Sequence, residues 1–356
     1  MIRQTAILSL LLLSCTTDYA LSQTTKKDQS AMGLTNLNIL ETPHYRVYFK
    51  GKTPSTRYRA ALEKTWQESA ALLPRIAPIF EKGDREAEPN RDGNGNIVIK
   101  KPRITLGLRR KENAPPPFKL DALFVEDRYD FQRAARSLIP AEISFEDRQI
   151  AEAALETTST FAAMDRGKRV YWINDPRMKS RDYGAFVAHC TATDLMHMNQ
   201  GLVDTPFWIV AGYGYYMEFK LFKMSVTAYL DYDEYYREYE RAGKGEFDKR
   251  DTLGVGKVWA PILKRIMKKG QKADLDQILW VSTKDLTPER CGYVYALVSF
   301  MLSDTRKAAG FAGFLMDIRD EGTEEQEKLL LKACKADSKD KFHSAWHKYI
   351  LSSRFR

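Results

Sequence analysis

The chain has few cysteines, four in 356 residues, and one of them, Cys15, falls in an apolar N-terminal stretch. The other three, Cys190, Cys291 and Cys334, are an odd number, which excludes a disulfide framework as the source of the fold. One bridge between Cys291 and Cys334 stays open in an oxidising compartment, but their apolar, helix-like surroundings fit buried free thiols better. Membrane-spanning length is lacking at the N-terminus, where Ala6 to Leu13 falls far below the roughly 20 residues a spanning helix needs. There are no internal repeats, no Gly-x-Ser-x-Gly nucleophile turn and no close carboxylate pair in a glycosidase-like context. Gly243-Lys244-Gly245 and Gly254-Val255-Gly256-Lys257 follow no strand and lack phosphate-loop spacing, so both read as turns.

What is present is ordinary globular material, 44% hydrophobic and 29% charged, with 18 Tyr, 17 Phe and 6 Trp to fill a core. The net charge of +9 is spread along the chain among 47 acidic residues, so it reads as a basic solvated surface. No nucleic-acid motif accompanies it, and no nucleic-acid partner is expected. Arg3 followed by the short apolar run reads as an export signal over residues 1–22. Two processing routes remain open. Leu12-Leu13-Ser14-Cys15 resembles a bacterial lipobox, which would place a lipid on Cys15, while Ala20-Leu21-Ser22 is a small-x-small site for cleavage after Ser22. The expected location is outside the cytoplasm: periplasmic, membrane-anchored by lipid, or secreted.

Residues 23–40 read as a linker. The expected fold is α+β, with a small strand-helix lobe over 41–178 followed by a mostly helical lobe over 179–356. Strands are predicted at Tyr45–Phe49, Arg103–Leu108, Leu120–Val125 and Lys168–Ile173, from β-rich alternation or β-branched runs. Helices are predicted at 55–81 (bent near Pro74 or Pro78), 128–139 and 146–157. Beyond residue 179 only helices are predicted: 179–199, 206–222, 228–241, 256–268, 287–304, 311–318, 323–335 and 338–351. Asn90 to Ile97 imitates the start of a calcium loop, but Lys101 stands where the bidentate Glu is needed. An Asn-Gly hairpin turn is the better reading there.

Residues 183–219 read as two apolar helices joined by a short polar turn, the first carrying His189 and the second opening after Pro206 with Phe207-Trp208. This order resembles the gluzincin group of zinc metallopeptidases, in its peptidase-MA-like branch. In that group one helix carries His-Glu-x-x-His. A second, often opening Pro-x-Trp and then Glu-Gly, supplies the third ligand. Two His one turn apart can share one zinc ion, and the Glu between them activates its water. The resemblance places His189 at the first ligand, Cys190 at the general base, Thr193 at the second ligand and Ala211 at the third. Residues 206–216 keep the proline, tryptophan, glycine and tyrosine of the second helix. Cys291 to Leu302, Phe311 to Ile318 and Trp346 to Tyr349 resemble the family's later helices, so the likeness spans roughly 42–351. It implies crossing helices with His189 facing Ala211, and three of four chemical positions replaced.

Nothing nearby rebuilds the zinc site on paper. His197 lies about 12 Å along the helix from His189, and Asp194 is turned about 140° away from it. Glu218, two turns beyond Ala211, is expected to point to the wrong end of its helix. Cys190 diverges from His189 by about 100°, which also removes His189 as its base, so a small buried hydrophobe is its expected role. His343 and His347 have metal-ligand spacing but no third ligand, and a packed or solvated pair is the default. Zinc is therefore expected to be absent, and no cofactor is expected. The leading functional expectation is a pseudo-peptidase that binds a peptide or envelope protein in an inter-lobe cleft, with His189, Trp208, Tyr213 and Tyr216 as candidate cleft residues. Two alternatives are a hydrolase with a non-standard site and a structural envelope lipoprotein.

Overall fold

The computed structural model describes residues 33–356 except 53, 83–87, 90, 92, 94–96, 98–117, 164–166, 202–204, 244–247, 249 and 272. The export signal, Cys15, Lys101 and the strand expected at Arg103–Leu108 lie outside the described residues. The α+β class is as expected, and the chain interleaves two compact units. One uses the chain up to Glu63 and the stretch ending at Gly184; the other uses the stretch beginning at Lys64 together with Ala185–Arg356.

The first unit holds a five-stranded sheet. Its strands are β1 (Asn38–Glu41), β2 (Tyr45–Phe49), β3 (Leu120–Val125), β4 (Thr160–Ala163) and β5 (Lys168–Trp172), in the order β1-β2-β3-β5-β4. β2, β3 and β5 run parallel, and β1 and β4 close the two edges antiparallel. β3 is central and buried at every residue, which is why it reads as a nearly continuous apolar run. Its Leu123 and Val125 face α3 (Arg128–Leu138), whose Phe131, Ala134, Ala135 and Leu138 complete a core with α4 (Phe145–Leu155). Phe124 points the other way and stacks between Tyr171 and Tyr58, at centroid distances of 4.9 and 5.9 Å. Across β2 and β3, Arg46 meets the buried carboxylate of its register partner Asp121 at 2.7 Å. The two edge strands were not anticipated: each has four residues, too short for an alternation signal. β1 begins inside the stretch read as linker.

α1 (Thr56–Ala70) and α2 (Ile76–Lys82) replace the single bent helix, with the break at Leu72 to Arg75 around Pro74. Arg91 and Ile97 form an isolated antiparallel bridge, and most of the expected hairpin turn between them lies outside the described residues. The second unit continues with α5 (Tyr183–Asn199), α6 (Phe207–Phe222), α7 (Tyr232–Arg241), α8 (Trp259–Lys268) and α9 (Leu275–Leu279). It ends with α10 (Pro288–Met301), α11 (Thr305–Glu321), α12 (Gln326–Ala333) and α13 (Lys339–Leu351). α10 is buried at nearly every residue and packs along α6, where Gly212 permits the approach. A Cβ there would lie 2.6 Å from the Val298 side chain and 2.8 Å from the Val294 carbonyl oxygen. α11 starts six residues earlier than expected because the Asp304 carboxylate caps it, accepting from the Lys307 N–H.

Candidate functional site

α5 and α6 are apolar almost all round, so each must be enclosed, and a polar side chain on either must find its partner inside. His189 sits in the middle of α5 at 2% exposure, with its ring against α6 at Gly214. A Cβ at 214 would stand 2.5 Å from His189 Nε2, so only glycine admits the ring. Tyr215 meets the ring edge-on at 5.0 Å, and Tyr229 lies at 5.4 Å.

The two ring nitrogens face different groups. Nε2 shares a hydrogen bond of 2.7 Å with the Tyr229 hydroxyl. Nδ1 lies 3.6 Å from Oε2 of Glu218, a carboxylate at 0% exposure. The other oxygen, Oε1, accepts from the Thr227 backbone N–H at 3.0 Å and from its hydroxyl at 2.6 Å. The backbone makes this possible by turning back on itself. Lys223 ends α6 in the left-handed region (φ 64°), and the chain reverses so that Thr227 reaches Glu218. Two residues on, Tyr229 reaches His189. The His189 ring thus has a hydrogen-bonded phenol on one side and, on the other, a carboxylate oxygen that makes no hydrogen bond to it, and these groups bring together α5, α6 and the loop after α6.

His189 packs against α6 at Gly214, one turn beyond Ala211, the position it was expected to face. This corrects the expectation for Glu218. It does not point away; it lies on the Nδ1 side of His189, because the contact runs through Gly214 and Glu218 is one turn beyond Gly214 on α6. Cys190 and Ala211 are buried. The Thr193 hydroxyl donates to the Cys190 carbonyl at 2.7 Å, a local bond to the helix backbone. These residues do not fit a peptidase zinc ion. Nε2 is engaged by a phenol, Thr193 is turned to the backbone, and Ala211 has no donor atom. Among the described residues no three His, Cys, Asp or Glu side chains converge as a metal-holding group.

Of the four residues read as lining a cleft, three are closed inside. His189 is one. Trp208 is fully buried and donates its indole N–H to Gln326 Oε1 at 2.9 Å. Tyr213 is fully buried and donates to Ser69 Oγ at 3.0 Å. Tyr216 is half-buried, and the Lys220 ammonium stands 5.4 Å from its ring centre while pairing with Glu68 at 2.6 Å. The His343 and His347 rings lie 4.0 Å apart, and each Nε2 contacts the same Ala273 carbonyl. A carbonyl only accepts, so both Nε2 atoms carry hydrogen and the pair fastens the chain before α9. The three described cysteines are free. Burial pushes the Cys291 thiol, beside Tyr215 and Tyr232, up to about 12.

The phenol is hydrogen-bonded to the imidazole, whereas the carboxylate oxygen facing Nδ1 stands 3.6 Å away and makes no hydrogen bond. All three groups are at most 7% exposed, so the arrangement organises the core before it offers a surface to a substrate. Thr227 was missed in the sequence because nothing local marks its hydroxyl as a carboxylate partner. Tyr229 opens a tyrosine-rich stretch with Tyr232, Tyr235 and Tyr236, and nothing in that stretch distinguishes its hydroxyl. No family model, curated protein or solved structure matches this chain.

Proposed function

We propose that the chain is an exported, gluzincin-like pseudo-peptidase that works by binding a peptide or envelope protein. One observation carries the reading. The histidine at the first-ligand position is kept, but its Nε2 is spent on Tyr229 inside a closed core. A ligand histidine needs Nε2 or Nδ1 free toward the metal and two further donors beside it. Here the same ring joins two helices and a loop. Elemental analysis of purified protein, together with a peptide-hydrolysis assay, tests this. The expected result is no stoichiometric zinc and no turnover; one tightly held zinc per chain would overturn the reading. Mass spectrometry of the mature N-terminus decides between a lipid on Cys15 and cleavage after Ser22.

The phenol and the carboxylate on either side of the His189 ring favour a second reading, a hydrolase with a non-standard site. It requires turnover that disappears in both His189→Ala and Tyr229→Phe at unchanged fold.

A further inference from the structure

α8 and its cap carry four cations of two kinds. Arg265 Nε lies 2.9 Å from Asp251 Oδ1, and Lys269 contacts the other oxygen of the same carboxylate, so these two are neutralised. Lys264 and Lys268, one turn apart on the helix, form no ion pair among the described residues. The Lys264 ammonium instead donates to the Phe355 carbonyl at 2.7 Å and stands 6.0 Å from that ring's centre. Phe355 is fully buried against Tyr295 and Tyr349, and the Tyr295 hydroxyl donates to the Arg356 carbonyl at 2.7 Å. The exposed Arg354 and Arg356 flank this buried anchor and are thereby delivered beside α8.

Burial pulls the Lys264 ammonium below its ordinary value, and the Lys268 and Arg356 charges pull it further. The like charges of Lys264, Lys268 and Arg356 gathered here repel one another, at a cost to the fold. The helix dipole accounts for Lys268 in the last turn of α8, but not for Lys264 or the two arginines. Leu351, 45% exposed, ends α13 where this segment begins.

The geometry points to a docking surface for the anionic phospholipid headgroups of a membrane, formed by Lys264, Lys268, Arg354 and Arg356 with Leu351 at its edge. Charge complementarity selects a polyanion. The side chains select a lipid surface over nucleic acid: long aliphatic stems with charged heads sit beside one exposed leucine. The aromatic rings next to them, Phe355 and Tyr295, are buried and present no face for base stacking. This contact is independent of any lipid on Cys15 and of the pseudo-peptidase reading.

Sedimentation of the full chain with vesicles tests it, comparing phosphatidylcholine alone with phosphatidylcholine containing phosphatidylglycerol. Any acyl chain on the protein contributes to both, so the difference is read. Binding is expected to the anionic vesicles and to fall with added salt. At about fivefold per surface cation, Lys268→Gln/Arg356→Gln weakens it about 25-fold. Both side chains are exposed, and Lys268→Arg/Arg356→Lys keeps the binding. Lys52→Gln/Lys179→Gln, an equal charge change on exposed lysines of the other unit, leaves it nearly unchanged. Three results would overturn the proposal: no preference for anionic vesicles, an equal loss in the Lys52/Lys179 variant, or full competition by inorganic phosphate at matched phosphate concentration.

Discussion

Two buried carboxylates show how differently the two units handle a charge. Asp175, in the sheet-bearing unit, is 2% exposed and saturated with donors. The Arg177 backbone N–H and Nε both donate to its Oδ1 at 2.9 Å, Arg177 NH2 reaches Oδ2 at 2.6 Å, and the Ser159 hydroxyl donates there as well. The Arg177 side chain is itself 53% exposed, so one side of that pair remains in water. Glu218, in the helical unit, is at 0% exposure and is satisfied on one oxygen only. Its second oxygen lies 3.6 Å from His189 Nδ1 and makes no hydrogen bond, and among the described residues no Lys or Arg is paired with it. A carboxylate at a loop can be braced by a guanidinium that returns to solvent when the brace breaks. A carboxylate between enclosed helices has no such exit, so its partners must be built into the packing.

The sharpest way to break this contrast is to remove the buried partner. His189→Ala leaves Glu218 Oε2 facing a cavity and strips Tyr229 of its hydrogen bond. Emptying the space of a fully buried ring and losing its hydrogen bond costs about 2–5 kcal/mol, and urea unfolding is expected to show a loss of that size. A loss below about 1 kcal/mol, as for a surface pair, would erase the distinction between the two carboxylates.

Gly214→Ala tests the same packing from the other helix. The new Cβ falls 2.5 Å from His189 Nε2, an overpacking expected to cost about 1–3 kcal/mol, less about 1 kcal/mol of improved helix propensity. His189→Ala/Gly214→Ala should be less damaging than the sum of the single changes, because the clash goes with the ring. Strict additivity would mean that the ring does not rest on Gly214.

Much of the fold could be read from the residues. The apolar run of β3 and the 3.6-residue spacing of the helices are local signals, and they place most elements within a few residues. β1, β4 and α9 were missed because four or five residues carry too little pattern. The site was legible in part. His189 stands out through the resemblance, as the residue at the first-ligand position, while Glu218 is expected from the sequence to point away from it. That expectation follows from placing Ala211 opposite His189. Only the packing shows that the helices meet at Gly214, which brings Glu218 one turn closer. Thr227 and Tyr229 depend on a chain reversal at Lys223, a non-glycine residue in the left-handed region, which sequence does not announce.

A smaller effect separates the two sides of the His189 ring. Tyr229→Phe keeps the ring packing on His189 and Phe207 and removes only the hydroxyl. The net worth of one such hydrogen bond is about 0.5–1.5 kcal/mol, and a loss in that range is expected by denaturant titration. A loss approaching that of His189→Ala would mean that the hydroxyl, and not Glu218, is the main partner of the ring.

The mildest test is acid titration of the loop carboxylate. Burial pushes the Asp175 carboxyl up, but the hydrogen bonds from Arg177 and Ser159 outweigh it and hold the group below its ordinary value of 3.8. The unfolded chain therefore binds the proton first as pH falls, so stability rises with pH across this window. The contribution is fully present above the ordinary carboxyl range and is lost as pH drops through the lower, folded value. Asp175→Asn removes that dependence. Subtracting its stability curve from that of the parent, both followed by urea unfolding from neutral pH into the acid range, isolates Asp175 from the other carboxylates. The expected difference is largest near neutrality and shrinks in acid. A difference that stays flat would mean that the brace is held by geometry and not by charge, and the loop carboxylate would then resemble Glu218 more closely than the hydrogen bonds indicate.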